Sequence, residues 1–331
     1  MAQNTSEIGR AGLDSWSGIV REEFLRELIG QDGIRRYNEM RLNSPIVGGL
    51  LQAIYQSVLG ISFQFTSEEG EEDPRLELLN ESLEAMSHSL RDHIGEALTF
   101  LPFGFSLFEI VYQRVGGRLL WRKFAPRTQS TIRRWEFDEN GGLKGAWQAV
   151  VGRPETLIPI EKSLLYRTNV EKNNPQGRSV LRTAWIPYYF AKNIMQIEAI
   201  GIERDLAGLP MIHLPETADT SSDSNSDKSK AEKMVRTIRN DEQAGIVMPD
   251  GWEFELVSTG GSRAHDTDKV VRRYESRMLM SALAQFLLLG QESVGSLALS
   301  KDQTDFFTMS VNTVADILTE TITHFAIPRL M

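Results

Sequence analysis

Residues 179–210 read SVLRTAWIPYYFAKNIMQIEAIGIERDLAGLP, and this stretch decides the fold. Trp185, Tyr188, Tyr189, Ile194, Ile197 and Ile200 recur at helical spacing, which predicts one long helix over residues 179–206. Gly208-Leu209-Pro210 stops it. Trp185 to Ile202 is the most apolar part, yet it carries Pro187, Lys192 and Glu198. It therefore reads as a buried or intersubunit helix and not as a membrane span. A second long helix is predicted from about Ala264 to Leu288. Between the two helices come a short strand, Met211 to Leu214, and a mobile Ser/Asp/Thr-rich loop, Glu216 to Asp227. A basic helix, Lys228 to Asn240, follows. Strands Gly245 to Met248 and Trp252 to Val257 then flank a Pro249-Asp250-Gly251 turn. Two long helices thus bracket a small α/β insertion.

Upstream, residues 1–20 are small and polar and are expected to be loosely ordered. Arg21 to Arg36 predicts a short helix with Phe24, Leu25, Leu28 and Ile29 on one stripe. Ser44 can cap, and Pro45 can open, a strongly apolar helix from Ile46 to Leu59. Glu68 to Asp73 is an acidic turn. A helix from Pro74 to about Leu101 is predicted from Leu76, Leu79, Leu83, Met86, Leu90, Ile94 and Leu98. From Phe105 the period changes to two. Phe108, Ile110 and Tyr112 alternate with polar residues, Gly116-Gly117 turns the chain, and Leu119, Trp121 and Lys123 return it. Arg133 to Phe137, Trp147 to Val151 and Leu164 to Tyr166 are further strands, with a hairpin at Asp138 to Gly142, making a small antiparallel sheet region. A last helix runs from about Asp302 to Phe325 on Phe306, Phe307, Val311, Val314, Ile317, Leu318 and Ile322. The fold class is α+β, mainly α-helical.

Composition narrows the function. The chain has 331 residues, 41% hydrophobic and 24% charged, so it can bury a large core without staples. It contains no cysteine, which excludes disulfides, cysteine metal sites and a thiol nucleophile. The formal net charge of −9 gives no general attraction for nucleic acid, so any contact with DNA must be local or weak. No signal-peptide pattern opens the sequence.

Catalytic patterns fail one by one. Ser293 lies in Gly290-Gln-Glu-Ser-Val-Gly295, one residue too long for a nucleophile elbow and preceded by a helical pattern where a strand is required. His88 and His93 are five apart, which puts them on different faces of the predicted helix and not in a metal pair. Gly295 to Lys301 lacks the second glycine of a phosphate-binding loop. No carboxylate pair stands out as an acid and base. The expectation is no catalytic residue, no metal and no cofactor.

One stripe is physically distinctive. Lys269, Arg272, Arg273 and Arg277 fall at i, i+3, i+4 and i+8 and line one side of the second long helix. A solvated basic face is one reading. A stripe facing phosphates, or pairing with a neighbouring chain through residues such as Asp268 and Glu275, is the other.

The order of these elements resembles the portal protein of tailed bacteriophages, most closely the Mu-like portal family. The resemblance rests on Ile202-Glu203-Arg204-Asp205-Leu206-Ala207-Gly208-Leu209-Pro210-Met211, then Val247-Met248-Pro249-Asp250-Gly251 and Tyr274-Glu275-Ser276-Arg277. Leu289-Gly290-Gln291, Gly295-Ser296-Leu297-Ala298 and the N-terminal Ser44-Pro45-Ile46-Val47-Gly48-Gly49-Leu50 complete it. It covers residues 40–331.

The resemblance implies a portal-like fold with wing, two-helix stem and α/β clip, assembled as a homo-oligomeric ring of about twelve copies. Residues 1–40 would be an N-terminal arm, 41–178 the wing, 179–206 the first stem helix and 207–260 the clip. Residues 261–288 would be the second stem helix, 289–302 a tunnel loop and 303–331 a tunnel-side helix returning to the wing. Portals continue into a crown. This sequence stops at Met331, so the crown is expected to be absent or truncated. The implied function is a structural, non-enzymatic channel at one capsid vertex for DNA packaging and ejection. The implied partners are double-stranded DNA passing without sequence specificity, the terminase large subunit, a head-tail adaptor, and the major capsid and scaffolding proteins, with no membrane. The implied location is the virion, after assembly in the host cytoplasm.

Lys269, Arg272, Arg273 and Arg277 would then face the channel or a neighbouring stem, and Gln291, Glu292, Ser293 and Val294 would form the tunnel loop. Lys228, Lys230, Lys233, Arg236 and Arg239 would form the clip's partner surface. A different capsid or tail adaptor, and an uncharacterised hydrolase or nuclease, stay as alternatives.

Overall fold

A computed structural model describes residues 7, 9–67, 70, 72–207, 209–237, 248–257, 266–281 and 297–331; for 204–207, 209–210, 237, 256, 297–304 and 306 it describes the backbone alone. The described chain divides into two compact units, residues 1–188 with 275–331, and residues 189–274.

In the first unit residues 15–20 are more ordered than their composition suggests. β1 (Ser15–Trp16) and β2 (Ile19–Val20) form a hairpin, and Trp135 N donates to Gly18 O at 2.8 Å. Val20 is buried in a core with Phe105, Leu107, Ile132, Trp135 and Ala146. The helix expected over Arg21 to Arg36 is displaced. A 3-10 turn spans Arg26–Leu28, and α1 runs over Gly30–Asn43. Gly30 has a φ of 54°, a left-handed conformation that separates the two. α2 (Pro45–Leu59) begins as its sequence predicts, with Pro45 in the first turn and the Ser44 hydroxyl accepting from Val47 N at 3.3 Å.

The single helix expected from Pro74 to Leu101 is three helices, α3 (Pro74–Glu84), α4 (Leu90–Ala97) and α5 (Phe100–Phe103). Ser89 and Asp92 form a reciprocal capping box that starts α4 afresh. The break is also pinned from outside, because Ser87 N donates to Arg122 O at 2.9 Å.

β3 (Phe105–Val115) folds back through Gly116-Gly117 onto β4 (Arg118–Arg127). Both turn glycines have positive φ, 57° and 86°, as a tight two-residue hairpin turn requires. Arg122, the residue that holds Ser87, sits in a bulge where the register shifts beside Val111 and Tyr112. The expected small sheet is two sheets. β5 (Ile132–Phe137), β6 (Leu143–Gln148) and β7 (Thr156–Pro159) form one, in that order. β8 (Ser163–Arg167) pairs with β3 and completes the other, in the order β4-β3-β8.

Residues 179–184 are not helical, although the apolar spacing predicts it. The Ser179 hydroxyl donates to Pro102 O at 2.6 Å and Val180 N to Leu101 O at 3.0 Å, so α6 starts later, at Trp185–Ala207. The second unit holds most of α6, then β9 (Leu209–His213), α7 (Asp227–Thr237), β10 (Glu253–Val257) and the start of α8 (Thr267–Ser281). β9 and β10 pair antiparallel. The rings of Phe190 and Tyr274 stack at 5.9 Å, and the Thr267 hydroxyl bonds Glu198. Glu198 is downstream of Phe190 while Thr267 is upstream of Tyr274, so α6 and α8 run antiparallel. The expected strand Gly245 to Met248 lies, but for Met248, outside the described residues, and so does the stretch 282–288 expected to extend α8.

The chain ends with α9 (Leu297–Thr321), a π turn over Ile322–Ala326 and a 3-10 turn over Ile327–Arg329. The Arg329 guanidinium donates to Ser163 O, and the Tyr112 hydroxyl to Arg329 O at 3.0 Å, which ties this end to the β4-β3-β8 sheet.

Candidate functional site

The basic stripe is built on α8. Asp266 stands before its first turn, where its carboxylate accepts from Lys269 N at 3.2 Å and from Lys269 Nζ at 3.1 Å. The backbone bond first, and then the lysine, holds the Asp266 carboxyl below its usual range. Arg272 Nε donates to Asp268 at 3.0 Å one turn back. The Arg273 guanidinium lies 5.6 Å from the centre of the Tyr274 ring. Lys269, Arg272, Arg273 and Arg277 are all exposed, whereas Met278 and Leu279 are buried. Leu279 packs on Leu50, with Ile46 and Ile54 against it. The sequence stripe is therefore an exposed basic ridge on a helix whose C-terminal turn is packed through Met278 and Leu279. Asp268 is engaged by Arg272 of the same helix. Exposed pairs of this kind contribute about 0–1 kcal/mol, so they exchange readily for other anions.

α6 carries a different surface. Tyr189, Phe190, Ile197 and Ile200 fall within about 100° of arc on its circumference. They are 48%, 45%, 69% and 49% exposed. Fully burying such a side chain gains about 1.5–3 kcal/mol, and these half-exposed groups forgo roughly half of that by staying in water. That cost marks a face built to be covered.

In the insertion, α7 is capped by Ser226, whose hydroxyl accepts from Ser229 N at 3.2 Å. Lys228, Lys230, Lys233 and Arg236 are exposed along it, while Ala231 is buried. Lys230 pairs with Asp227 at 3.4 Å. Ile212, Leu214, Ala231 and Val235 line a shallow cleft rimmed by Lys228, Glu232 and Arg236. Arg239 lies outside the described residues, as do Gln291, Glu292, Ser293 and Val294.

The base of α6 shows contacts that sequence reasoning did not find. Arg182 Nε donates to Glu23 at 2.5 Å, Trp185 Nε1 to Glu27 at 2.6 Å, and the Tyr188 hydroxyl to Glu39 at 3.3 Å. Three glutamates from the N-terminal segment thus clasp the first turns of the helix. Nothing local in the sequence links residues so far apart.

The histidine reading also changes. His88 lies in the break between α3 and α4, so its ring comes within 6.2 Å of His93. His93 is fully buried among Phe108, Phe124 and Tyr166, and its Nε2 is 2.8 Å from the Tyr166 hydroxyl. Burial first, then the nearby His88, pushes its pKa down to about 3. It is a neutral core residue. Among the described residues no group of three His, Asp or Glu side chains could hold a metal ion. No described helix is long and apolar enough to cross a membrane.

A family model, that of the portal protein of Mu bacteriophage, matches residues 34–331. Among solved structures, a chain in the virion of a native gene transfer agent particle superposes with a TM-score of 0.59 at 11% identity, covering 93% of this chain and 82% of that one. A chain in the neck of the native particle, treated with C12 symmetry, gives 0.57 at 10% identity, covering 88% and 81%. A chain in the neck of the empty particle, treated with C6 symmetry, gives 0.56 at 12% identity, covering 87% and 79%. At such identities the likeness is one of fold.

Proposed function

The chain belongs to the family of the portal protein of Mu bacteriophage, and from that premise we propose that its copies form a closed ring that conducts DNA through one capsid vertex. The family match carries this reading. The chain is a portal subunit, a structural role, and we assign it no chemical step.

The surfaces support a ring. A repeated heterologous contact closes by rotation when each copy buries one face against a different face of the next. The exposed α6 face, with Ile197 and Ile200, is such a face. The C12 symmetry of the similar neck suggests about twelve copies. In this reading residues 41–178 form the wing, 179–206 and 261–288 the stem, 207–260 the clip, and 303–331 the helix returning to the wing. The segment 289–302 is the tunnel loop, with Gln291, Glu292, Ser293 and Val294 at its tip.

Electrostatics suits a conduit. A net charge of −9 per copy repels duplex phosphates overall, so DNA slides and is not held. The ridge of Lys269, Arg272, Arg273 and Arg277 supplies local guidance or pairs with the adjacent stem. The α7 cations and their apolar cleft form the surface for the terminase large subunit during packaging and for the adaptor afterwards. The wing edge meets the major capsid and scaffolding proteins. Assembly takes place in the host cytoplasm.

The test is the native mass of the purified chain with images of the particles. A ring of about twelve copies with an axial hole is expected, and Ile197→Asp with Ile200→Asp is expected to abolish it. A monomer or dimer at all concentrations and salts would overturn the reading. Charge reversal of the four α8 cations is then expected to lower the yield of filled heads. An unchanged yield would remove the α8 ridge from the mechanism.

A further inference from the structure

Arg41, near the end of α1, holds a half-buried charge in neutral surroundings. Its Nη2 donates to the Asn38 amide oxygen at 2.9 Å, and its guanidinium lies 5.3 Å from the centre of the Phe103 ring. Among the described residues no carboxylate lies within ion-pair distance of it. On its inner side Arg41 Nε is buried against the buried Tyr55 hydroxyl. Burial raises the Tyr55 pKa to about 12, with the adjacent Arg41 pulling the other way. A desolvated cation without a counter-ion is costly, and a neutral amide and a ring face offset only part of that cost.

The side chain opens into a groove between α1 and the ends of β3 and β4. Phe103, Leu107 and Phe108 form its floor, and Arg35, Arg41 and Arg127 stand on its walls. Arg35 is paired with Asp32 at 2.8 Å, and Arg127 is paired with Glu109. Arg41 is the wall cation left for an incoming acid.

We propose that this groove is a receptor for a carboxylate presented by a second copy of the chain, with Arg41 as the recognising cation and the acidic segment Ser67-Glu68-Glu69-Gly70-Glu71-Glu72-Asp73 as the occupant. Charge complementarity selects it, because this is the densest run of carboxylates in the sequence. Within its own copy Asp73 is already held by Arg75 and Ser67, Glu72 is exposed, and Glu68, Glu69 and Glu71 lie outside the described residues. A nucleic-acid backbone fits less well. Asp32 and Glu96 also line the groove and oppose a continuous row of phosphates, whereas a loop can present a single carboxylate to Arg41.

The inference rests on ring assembly, so the experiment starts from the wild-type chain, whose ring formation tests that reading separately. Given a wild-type ring, Arg41→Ala is expected to raise the concentration needed for half-assembly about 10- to 100-fold, the loss of one charge-assisted contact per interface. Arg41→Glu is expected to abolish assembly, as is replacing Glu68, Glu69, Glu71 and Glu72 by lysine. Combining Arg41→Glu with the four lysines is expected to restore the ring. The melting temperature of each variant below its assembly concentration reports whether the subunit itself is folded. An Arg41→Ala ring that forms at the wild-type concentration overturns the proposal. So does a combined variant that folds but stays unassembled, or an Arg41→Ala variant that assembles normally and has lost only its retention of duplex DNA.

Discussion

Replacing His93 by glutamine should make the stability of this chain less sensitive to acid, by an amount that follows from its burial. His93 is sealed among Phe108, Phe124 and Tyr166, with a native pKa near 3. An unfolded histidine titrates near 6.5. Between these values the unfolded chain binds a proton that the folded chain refuses, so stability falls as pH falls below about 6.5 and is fully present above it. From pH 8 to pH 5 the loss from this one group is about 2 kcal/mol, and any native pKa below about 4 gives nearly the same figure. Glutamine retains an acceptor for the Tyr166 hydroxyl but does not titrate. The variant starts less stable at pH 8, because it fills the ring cluster poorly. From pH 8 to pH 5 it should then lose about 2 kcal/mol less than the wild type. Denaturant midpoints of both proteins at the two pH values measure this, and the other titrating groups cancel in the difference. Equal losses would refute the argument that His93 is buried in its neutral form.

Three further outcomes follow from particular contacts. Gly104 has a φ of 90°, and an added Cβ would lie 2.4 Å from Gln176 O. Gly104→Ala should therefore lower the melting temperature by several degrees, from about 1–3 kcal/mol of backbone strain plus the clash, and an unchanged melting curve would contradict that geometry. Glu27→Ala strands the buried Trp185 indole N–H and should cost about 1–3 kcal/mol in urea, with Glu27→Gln recovering most of it. If alanine and glutamine behave alike, the hydrogen bond contributes nothing. The Glu22 carboxyl is held below its usual range by the Asp14 backbone N–H first and then by Lys172. Its stabilisation is present above the unfolded carboxylate pKa and vanishes as pH falls through the native value. Glu22→Gln should therefore be less stable than wild type at pH 7 and indistinguishable in strongly acid solution. A constant gap across that range would show that glutamine acts through packing.

Much of the fold was legible because its signals are local. Ser44 and Pro45 start α2 by capping chemistry that needs no distant partner. Gly116-Gly117 turns β3 into β4 through the φ values only glycine adopts cheaply. The α8 cations at i, i+3, i+4 and i+8 lie on one side because helical geometry alone puts them there. The failures share a cause as well. The apolar period from Leu76 to Leu98 continues across Ala85–Ser89, yet Arg122 O, in a bulge of a distant strand, captures Ser87 and breaks the helix. Ser179 and Val180 bond the carbonyls of Pro102 and Leu101, so α6 starts at Trp185 although the pattern begins earlier.

The sequence by itself determined most of the element types, the order of α6, a small insertion and α8, the absence of cysteine chemistry and the position of the basic stripe. These depend on spacing, composition and backbone preference, which act over a turn or two. Only the tertiary structure decided that His93 is a neutral core residue and that Glu23, Glu27 and Glu39 clasp the base of α6. It also decided that Arg41 faces a groove with no described carboxylate within ion-pair distance of it. Each of these depends on which groups from distant parts of the chain share a desolvated space, and burial sets the strength of every charge and hydrogen bond there.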